Sequence, residues 1–350
     1  MRLRNSRRTR LLGAATLLIP LLVLAACSGS DPQNTLAPQG HIAAVTSGLF
    51  WPVFWVAVGV FVLVEGLLVI SLIVFRSRRG RQLPVQVHGN STLEITWTAI
   101  PALMLLGVAI PTVATLVHVD TTPANAMEIN VIGHQWWWEF DYPQEGIVTA
   151  DELHIPAGVP VHVSLHSDDV IHSFWVPVLV GKQDVIPNHD GGMWFSAYKP
   201  GTYDGQCAQF CGEQHALMQF RVVAQSQDDF NTWLAGQQAS AVLSPSTRAG
   251  LQGDSSIKDP AADAFFNNGC IGCHTINGTN AKGTVGPNLT HFASRASFEE
   301  LGSHMMDNNP DNVRRWITDP QGIKPGNDMK IGSLSSADVQ ALVNMLQGLK

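Results

Sequence analysis

The sequence has little charge and few cysteines. Asp, Glu, Lys and Arg make up only 14% of its 350 residues, whereas hydrophobic residues account for 45%. A chain this apolar does not stay disordered, and such a composition is unusual for a wholly soluble protein, so we expect membrane-spanning segments. The odd number of cysteines argues against a disulfide framework. They are Cys27, Cys207, Cys211, Cys270 and Cys273.

Basic residues are scarce outside the first ten positions. The chain carries 21 Lys and Arg against 28 Asp and Glu, and five of the arginines lie within residues 1–10. The rest of the chain is therefore acidic, which excludes nucleic-acid binding through a broadly basic surface. The length, together with 31 Gly and 20 Pro, predicts about two domains with many turns.

The N-terminus has the pattern of a secretory signal. The arginines precede sixteen uncharged residues, 11–26, which are too few for a comfortable membrane span. The final letters LAAC, ending at Cys27, resemble a bacterial lipobox, whose cysteine becomes an acylated N-terminus after cleavage. The alternative is an ordinary signal peptide followed by a chance cysteine. We predict a lipoprotein signal peptide at residues 1–26 and an exported tether at residues 27–44.

Two apolar runs predict a membrane-spanning helical hairpin at residues 45–120. Residues 49–75 contain a single charged side chain, Glu65, and residues 95–117 contain none, so both runs can cross a bilayer. Four arginines lie between them, within residues 76–81. Since Lys and Arg stay on the cytoplasmic side, the N-terminus and everything after residue 117 should lie outside a bacterial plasma membrane. Glu65 should be paired or face a partner protein, because an unpaired carboxylate at mid-membrane depth is unfavourable.

Residues 121–225 predict an all-β sandwich. Short runs with period-two alternation are separated by turns, and in one of them Val161, Val163 and Leu165 share a strand face. His162 and His166 share the opposite face, which we interpret as solvated. Alternation of this kind is typical of sandwich strands.

The remaining chain predicts a linker and a separate domain. Residues 226–257 are rich in Ser, with several Gly and one Pro, and predict a flexible linker. Residues 258–350 predict an all-α domain, in which helices near 260–268 and 335–349 frame a loop-rich middle.

A haem-attachment motif lies in this last domain. Cys270 and Cys273 can bond covalently to the haem vinyl groups, and the adjacent His274 can reach the iron. A thioredoxin-like redox pair or half of a zinc site is disfavoured, because no second cysteine pair lies nearby and no βαβ pattern surrounds the motif. The sixth ligand should be a thioether, which favours reduced iron.

The domain resembles a class I cytochrome c. The letters KPGNDM (residues 324–329) match the family's axial-methionine loop, so the resemblance implies that Met329 is the sixth ligand. Met305 and Met306 come too early in the chain, and packing or surface exposure is the expected role for them. The letters GPNL (residues 286–289) match the segment in which a proline carbonyl, here that of Pro287, orients the axial histidine.

A second metal signature lies at residues 207–218. Two cysteines, a histidine and a methionine within twelve residues form a soft ligand set that suits copper better than magnesium or calcium. Two cysteines four residues apart can turn both sulfurs toward one point and bridge two metal ions. A second imidazole is still required, and the pattern alone does not choose among the candidates. These are His154, His162, His166 and His172.

The segment at residues 169–177 and the cysteine cluster resemble the CuA domain of cytochrome c oxidase subunit II. The resemblance extends through both apolar runs and the letters GHQW (residues 133–136), and so covers residues 45–225. It implies a cupredoxin-like Greek-key sandwich that holds a binuclear copper centre. Its implied ligands are Cys207 and Cys211 as bridges, His172 and His215 on one copper each, Met218 as a weak ligand and the backbone carbonyl of Gln209.

The resemblance also assigns roles to residues outside the ligand set. Many relatives have Glu where this chain has Gln209, and that carboxylate also reaches a magnesium ion shared with subunit I. Gln209 lacks the charge, which leaves the magnesium ion an open question. Trp136 matches the aromatic residue that accepts electrons over the copper centre, with simple aromatic packing as the alternative. Glu94 matches a carboxylate at the mouth of a proton channel, with a favourable charge at a helix start as the alternative.

Together these features predict the electron-accepting subunit of a haem-copper terminal oxidase. Electrons would pass from an external donor, such as a cytochrome c or a quinol-oxidising complex, to the haem, to CuA, and to subunit I for reduction of oxygen to water. Subunit III is a further expected partner. A quinol oxidase subunit would lack the copper ligands, a nitrous oxide reductase would lack the two spans, and a membrane-anchored copper-delivery protein would lack the haem.

Overall fold

The computed structural model describes residues 32–76, 88–301 and 304–350. The predicted signal peptide, Cys27 and three of the four loop arginines lie outside these ranges, so the predictions for them stay predictions.

Two long helices precede the first strand. They are α1 (His41–Val74) and α2 (Ser91–Asp120). The side chain of Asn90 accepts hydrogen bonds from the backbone N–H groups of Thr92 and Leu93 and so caps the start of α2. At 1.5 Å per residue both helices exceed the thickness of a bilayer core of about 30 Å. Among the described residues they are the two helices that are long and apolar enough to cross a membrane.

The next part of the chain forms two five-stranded sheets. Its strands are β1 (Met127–His134), β2 (Trp137–Tyr142), β3 (Ile147–Ala150), β4 (Glu152–Pro156), β5 (Val161–Ser167), β6 (His172–Trp175), β7 (Gln183–Val185), β8 (Gly191–Phe195), β9 (Gly201–Cys207) and β10 (Gln219–Gln225). One sheet has the order β3-β2-β1-β5-β8 and the other has the order β4-β10-β9-β6-β7. The pairs β1 with β5 and β4 with β10 are parallel, and the other strand pairs are antiparallel. We call this unit the sandwich domain.

The core of the sandwich domain follows the predicted alternation. Val161, Val163 and Leu165 are fully buried, whereas His162 and His166 alternate with them along β5. Large aromatic side chains pack among the aliphatic ones in this core, and each ring buries a large apolar area. The largest are Trp138, Phe140, Tyr142, Phe174, Phe195 and Phe220.

The segment predicted to be a flexible linker contains two helices, α3 (Gln227–Gln238) and α4 (Pro245–Leu251). The serines and the proline that suggested a linker mark helix starts. Ser226 and Ser244 cap the two helices, and Pro245 occupies the first turn of α4. Trp233 on α3 stacks on the ring of His154 at 4.2 Å, which fixes α3 on the sandwich domain.

The C-terminal domain is helical at both ends, as predicted. Its helices are α5 (Pro260–Asn267), α6 (Pro310–Thr318), α7 (Pro320–Ile323) and α8 (Ser336–Leu346). The middle was predicted to be rich in loops, but it contains α6, α7 and a hairpin formed by β11 (Ser297–Leu301) and β12 (His304–Asp307). Both α5 and α6 pack on α8. Met305 and Met306 on β12 are buried, and the sulfur of Met305 lies 3.7 Å from the Ser297 hydroxyl.

The C-terminal domain lies against the sandwich domain, and α3 contacts both. The side chain of Gln238 donates a hydrogen bond to the Glu145 carbonyl of the sandwich domain at 2.9 Å. The neighbouring Gln237 donates to the Ser294 hydroxyl of the C-terminal domain at 2.8 Å. The segment between the domains therefore joins them through defined contacts.

Candidate metal centre and haem pocket

Strand pairing brings the predicted copper ligands together. His172 begins β6 and Cys207 ends β9, and these two strands pair with Phe174 opposite Cys207. The chain then turns back through Cys211 to a short 3₁₀ turn, His215–Leu217. Met218 follows this turn, and its backbone carbonyl accepts a hydrogen bond from the Cys207 N–H, so both ends of the loop are fixed.

The ligand atoms of this cluster converge on one point. The two cysteine sulfurs lie 3.8 Å apart, and Nδ1 of His172 lies 3.9 Å from the Cys207 sulfur. The Cys211 sulfur lies 3.6 Å from Nδ1 of His215 and 3.7 Å from the sulfur of Met218.

A backbone carbonyl also lies beside the cysteine sulfurs. The Gln209 carbonyl lies 3.2 Å from the Cys207 sulfur. The other candidate imidazoles have partners elsewhere, since His154 contacts Gln225, His162 contacts Glu128 and His166 contacts Asp190. His172 is therefore the candidate that the fold places beside the cysteines.

The contact between the two buried cysteines lowers the pKa of Cys207 and raises the pKa of Cys211, so one thiolate is favoured at this site. Both cysteines and His172 are buried, and the hydrogen bond between the two sulfurs lowers the pKa of Cys207 to about 3. The thiolate is the form that binds a metal ion. Nε2 of His172 lies 2.8 Å from the Asp169 carboxylate, which orients the ring and leaves Nδ1 toward Cys207. Two sulfurs, two imidazoles and a thioether fit copper.

Trp136 contacts the copper-ligand loop directly. Its indole N–H donates a hydrogen bond to the Cys211 carbonyl at 3.1 Å, and the Gln135 side chain donates to the same carbonyl at 2.6 Å. Gly212 follows with a φ of +124°, and a Cβ at this position would lie 2.9 Å from the Trp136 ring. A glycine therefore permits both the backbone conformation and the approach of the indole.

The C-terminal domain contains a cavity of about 330 Å³ with the haem motif in its wall. Cys270, Cys273, His274 and Met329 all line it. Much of the remaining lining is apolar, as a haem requires. This lining includes Phe265, Leu289, Trp316, Ile317, Leu342 and Leu346.

The geometry around His274 suits an iron ligand. Its Nδ1–H donates a hydrogen bond to the Pro287 carbonyl at 2.8 Å, which leaves Nε2 as the ligand nitrogen. Burial lowers the pKa of His274, so the ring is held in the neutral form that a metal binds. A Cβ at Gly286 would lie 2.6 Å from this ring, so the close approach requires glycine.

A hydrogen-bonded loop holds Met329 at the cavity. The Asn327 side chain accepts from the Met329 N–H at 2.8 Å and donates to the carbonyls of Pro320 and Lys324. The side chain of Gln321 donates to the Asn327 carbonyl at 2.9 Å. The predicted haem ligands therefore line the same cavity. The residues present fit a covalently attached haem.

The sequence did not reveal that the sandwich domain supplies part of the cavity wall. Gln135, Trp136, Trp137 and Asp151 line the cavity as well. The ammonium of Lys324, which is only 2% exposed, donates to the Trp136 carbonyl at 2.6 Å and lies 2.8 Å from the Glu299 carboxylate. Lys324 belongs to the predicted axial-methionine loop, but nothing in its sequence context indicates this contact.

Three family matches cover most of the chain. Residues 41–115 match the transmembrane domain of cytochrome c oxidase subunit II, and residues 146–226 match its periplasmic domain. Residues 260–350 match cytochrome c.

Curated relatives match over nearly the whole chain. The cytochrome c oxidase subunit 2 of Alkalihalophilus pseudofirmus is 37% identical over 338 residues, which cover 94% of both chains. The chain belongs to the cytochrome c oxidase subunit II family. The subunit 2 of Bacillus sp. (strain PS3) is 34% identical and also covers 94% of both chains. The quinol oxidase subunit 2 of Bacillus cereus is 33% identical, but its alignment covers 64% of this chain and 80% of the relative.

Family membership confirms the predicted fold class and the general function. The chain combines a pair of membrane helices with a cupredoxin-like periplasmic domain and an all-α class I cytochrome c domain. It is an electron-transfer subunit of a haem-copper cytochrome c oxidase and works with a subunit I. The periplasmic domain implies copper and the C-terminal domain implies haem c.

Proposed function

We propose that the chain passes electrons from an external donor to haem c in the C-terminal domain, then to a binuclear copper centre in the sandwich domain, and on to subunit I. Oxygen is reduced to water in that partner. When bound, the haem and the copper pair supply reversible one-electron chemistry. The chain's own residues bind and orient these groups and keep water away from them.

Six residues hold copper in this proposal. Cys207 and Cys211 would hold the two copper ions together, since their sulfurs lie 3.8 Å apart on one loop. His172 and His215 each bind one ion, since each ring nitrogen lies beside a different cysteine sulfur. Met218 and the Gln209 carbonyl are weaker ligands, one beside each sulfur.

Four residues hold the haem. Cys270 and Cys273 form the covalent links, and His274 and Met329 are the axial ligands. Pro287 supports His274 by accepting its Nδ1–H, which fixes the tautomer and the plane of the ring. The apolar lining of the cavity excludes water from these contacts.

Trp136 carries the proposed electron path. It lines the haem cavity, and its indole N–H donates to the carbonyl of Cys211, a copper ligand. A single side chain therefore contacts both sites. This observation supports transfer from the haem through Trp136 to copper more strongly than a purely packing role for the ring.

The docked C-terminal domain changes where an external donor can bind. Trp136, which the family resemblance assigns to electron entry from an external cytochrome c, lines the haem cavity, and its backbone carbonyl binds Lys324 of the C-terminal domain. In this chain the C-terminal domain takes that place. An external donor, whether a cytochrome c or a quinol-oxidising complex, should therefore deliver electrons to the C-terminal domain first.

The membrane part completes the proposal. We place both exported domains on the outer side of the plasma membrane, with α1 and α2 as a multi-pass hairpin, an acyl group on Cys27, and subunit III as a further partner. Glu94 lies in the first turn of α2, where a negative charge also favours the helix dipole. Its role at the mouth of a proton channel stays a prediction.

The replacement Trp136→Phe tests the path. It removes the N–H that reaches the Cys211 carbonyl but keeps a smaller aromatic ring in the cavity wall. In the purified, fully loaded oxidase, rapid mixing with a reductant should show haem reduction at the normal rate and a several-fold slower haem-to-copper step. Copper and haem contents should be unchanged.

Trp137→Phe is the matched control. Trp137 lines the same cavity but stacks on His134 at 4.2 Å. It should leave the haem-to-copper rate near that of the parent. Equal rates in the parent and Trp136→Phe would overturn the assigned path.

A further inference from the structure

A buried carboxylate of the sandwich domain binds the C-terminal domain. Glu152 begins β4 and is only 1% exposed. Its carboxylate accepts hydrogen bonds from the Ser297 N–H at 2.8 Å, the Ser297 hydroxyl at 2.9 Å and the Ala296 N–H at 3.2 Å. All three donors belong to the C-terminal domain.

Two neighbouring residues of the sandwich domain complete this contact. Arg221 lies opposite Glu152 in the pairing of β10 with β4, and its guanidinium donates to the Ser297 hydroxyl at 3.1 Å. That hydroxyl therefore donates to a carboxylate and accepts from a guanidinium. Nε2 of His154 lies 3.6 Å from the carboxylate oxygen that also accepts from the Ala296 N–H.

The contact depends on one relative orientation of the two domains. Burying a carboxylate without partners is strongly unfavourable, and hydrogen bonds to an ionised acceptor are stronger than those between neutral groups. Ser297 is itself fully buried. A displacement of the C-terminal domain would remove all three donors from the buried Glu152 carboxylate, and the Ser297 N–H and hydroxyl would lose this acceptor.

The contacts of α3 do not impose the same constraint. The hydrogen bonds of Gln237 and Gln238 are exposed to solvent, where water can replace either partner. They keep the domains close. The buried contact between Glu152 and Ser297 favours one orientation of the docked C-terminal domain over other orientations that would bury a similar surface area.

We propose that Glu152 is a positioning residue, whose carboxylate holds the C-terminal domain in the single orientation that places the haem cavity against Trp136. This role rests on the proposed function, since the orientation matters because it sets the electron path. It requires no group beyond the chain itself, because both partners are protein side chains and backbone.

Hydrogen exchange of the Ser297 amide in the purified oxidase complex tests the proposal. Glu152→Gln replaces the charged acceptor with an amide, which cannot accept both Ser297 hydrogen bonds with the same strength. Exchange of this amide should accelerate on the order of a hundredfold. An unchanged exchange rate would overturn the proposal.

Glu128→Gln is the matched control. Glu128 is also a carboxylate of the sandwich domain beside a histidine, since it lies 2.7 Å from Nδ1 of His162. Its replacement should leave exchange at Ser297 unchanged. Equal acceleration in both variants would mean that general destabilisation of the sandwich, and not docking, controls the amide.

A second variant covers the case in which Glu152→Gln does not assemble. Ser297→Ala removes the hydroxyl from the other side of the contact and keeps the amide, and exchange should accelerate about tenfold. When both variants assemble, the double variant should accelerate exchange by less than the product of the single effects, because the two groups share one contact. Multiplicative effects would overturn the pairing.

The exchange readout is independent of electron transfer. Accelerated exchange in Glu152→Gln combined with an unchanged rate in Trp136→Phe would mean that docking is as proposed and the electron path is wrong. Unchanged exchange combined with a slower Trp136→Phe step would mean the reverse.

Discussion

The copper site is assembled inside one sandwich, where pairing of β6 with β9 brings His172 to Cys207, whereas the haem cavity is completed by two domains. The copper ligands are thus fixed by the same backbone hydrogen bonds that build the sheet. The haem ligands lie on loops, and Trp136 closes their cavity from the other domain. Copper binding should therefore depend on single ligands, whereas the haem site should depend on its ligands and on docking.

The largest effect is expected for Cys207→Ser, which should abolish the binuclear copper spectrum and lower copper content while leaving the covalent haem. A hydroxyl is a hard ligand and a poor bridge between soft coppers. Elemental analysis and the absorption spectrum of the purified complex measure both outcomes.

Cys27→Ser is the matched control, because it makes the same replacement at a cysteine outside the metal sites. It should keep both metals, and the protein should stay in the membrane because two spans hold it more firmly than one lipid anchor. Retention of two coppers in Cys207→Ser would contradict the ligand assignment. It would also contradict the expectation that copper binding depends on single ligands of the sandwich domain.

A smaller effect is expected at the haem site, for Met329→Leu. The replacement keeps the side-chain volume, so the haem should remain attached, but the iron loses its thioether. The reduction potential should fall by on the order of 0.1 V, within the range of about 0.8 V that axial ligands span. Redox titration and the low-spin spectrum of the haem measure the change.

Met306→Leu separates ligand loss from packing, because Met306 is buried on β12 and does not line the haem cavity. It should leave the potential near that of the parent. A drop in Met306→Leu with none in Met329→Leu would show that the axial ligand was assigned to the wrong methionine.

The smallest effect is expected in α3, which joins the two regions. Ser226→Ala removes the oxygen that accepts from the Asp229 N–H, and loss of such a cap costs about 1 kcal/mol. Hydrogen exchange of the Asp229 amide should accelerate about fivefold. Ser240→Ala, at an exposed position after the helix ends, should cause no change. Equal exchange rates of the Asp229 amide in the two variants would favour the prediction that this segment is a flexible linker.

Local patterns predicted much of the fold and of the candidate site. Apolar length predicted both membrane helices, and alternation predicted the buried face of β5, because each pattern depends on the period of one element. The two cysteines, the histidine and the methionine between residues 207 and 218 indicated a metal site with soft ligands, because all four lie in one short segment. Each of these signals lies within one short segment of chain.

Contacts between distant segments were not predictable in this way. By residue pattern alone four histidines were equal candidates for the second imidazole. The family resemblance chose His172, and the pairing of β6 with β9 places it at the cysteines. Ser226 and Pro245 suggested a linker, because residues that start helices also occur in loops. The contacts of Glu152 and Lys324 across the domains have no periodicity, so the sequence carried no signal for docking.

The short loop at residues 324–329 contacts the sandwich domain and also lines the haem cavity. Its first residue, Lys324, binds the Trp136 carbonyl, and the carbonyl of its second residue, Pro325, accepts a hydrogen bond from the Gln214 side chain of the sandwich domain. Its last residue, Met329, lines the haem cavity. The C-terminal domain is therefore not an interchangeable module. Grafting it onto another subunit II would require the matching surface around Trp136 and Gln214 to be transferred with it.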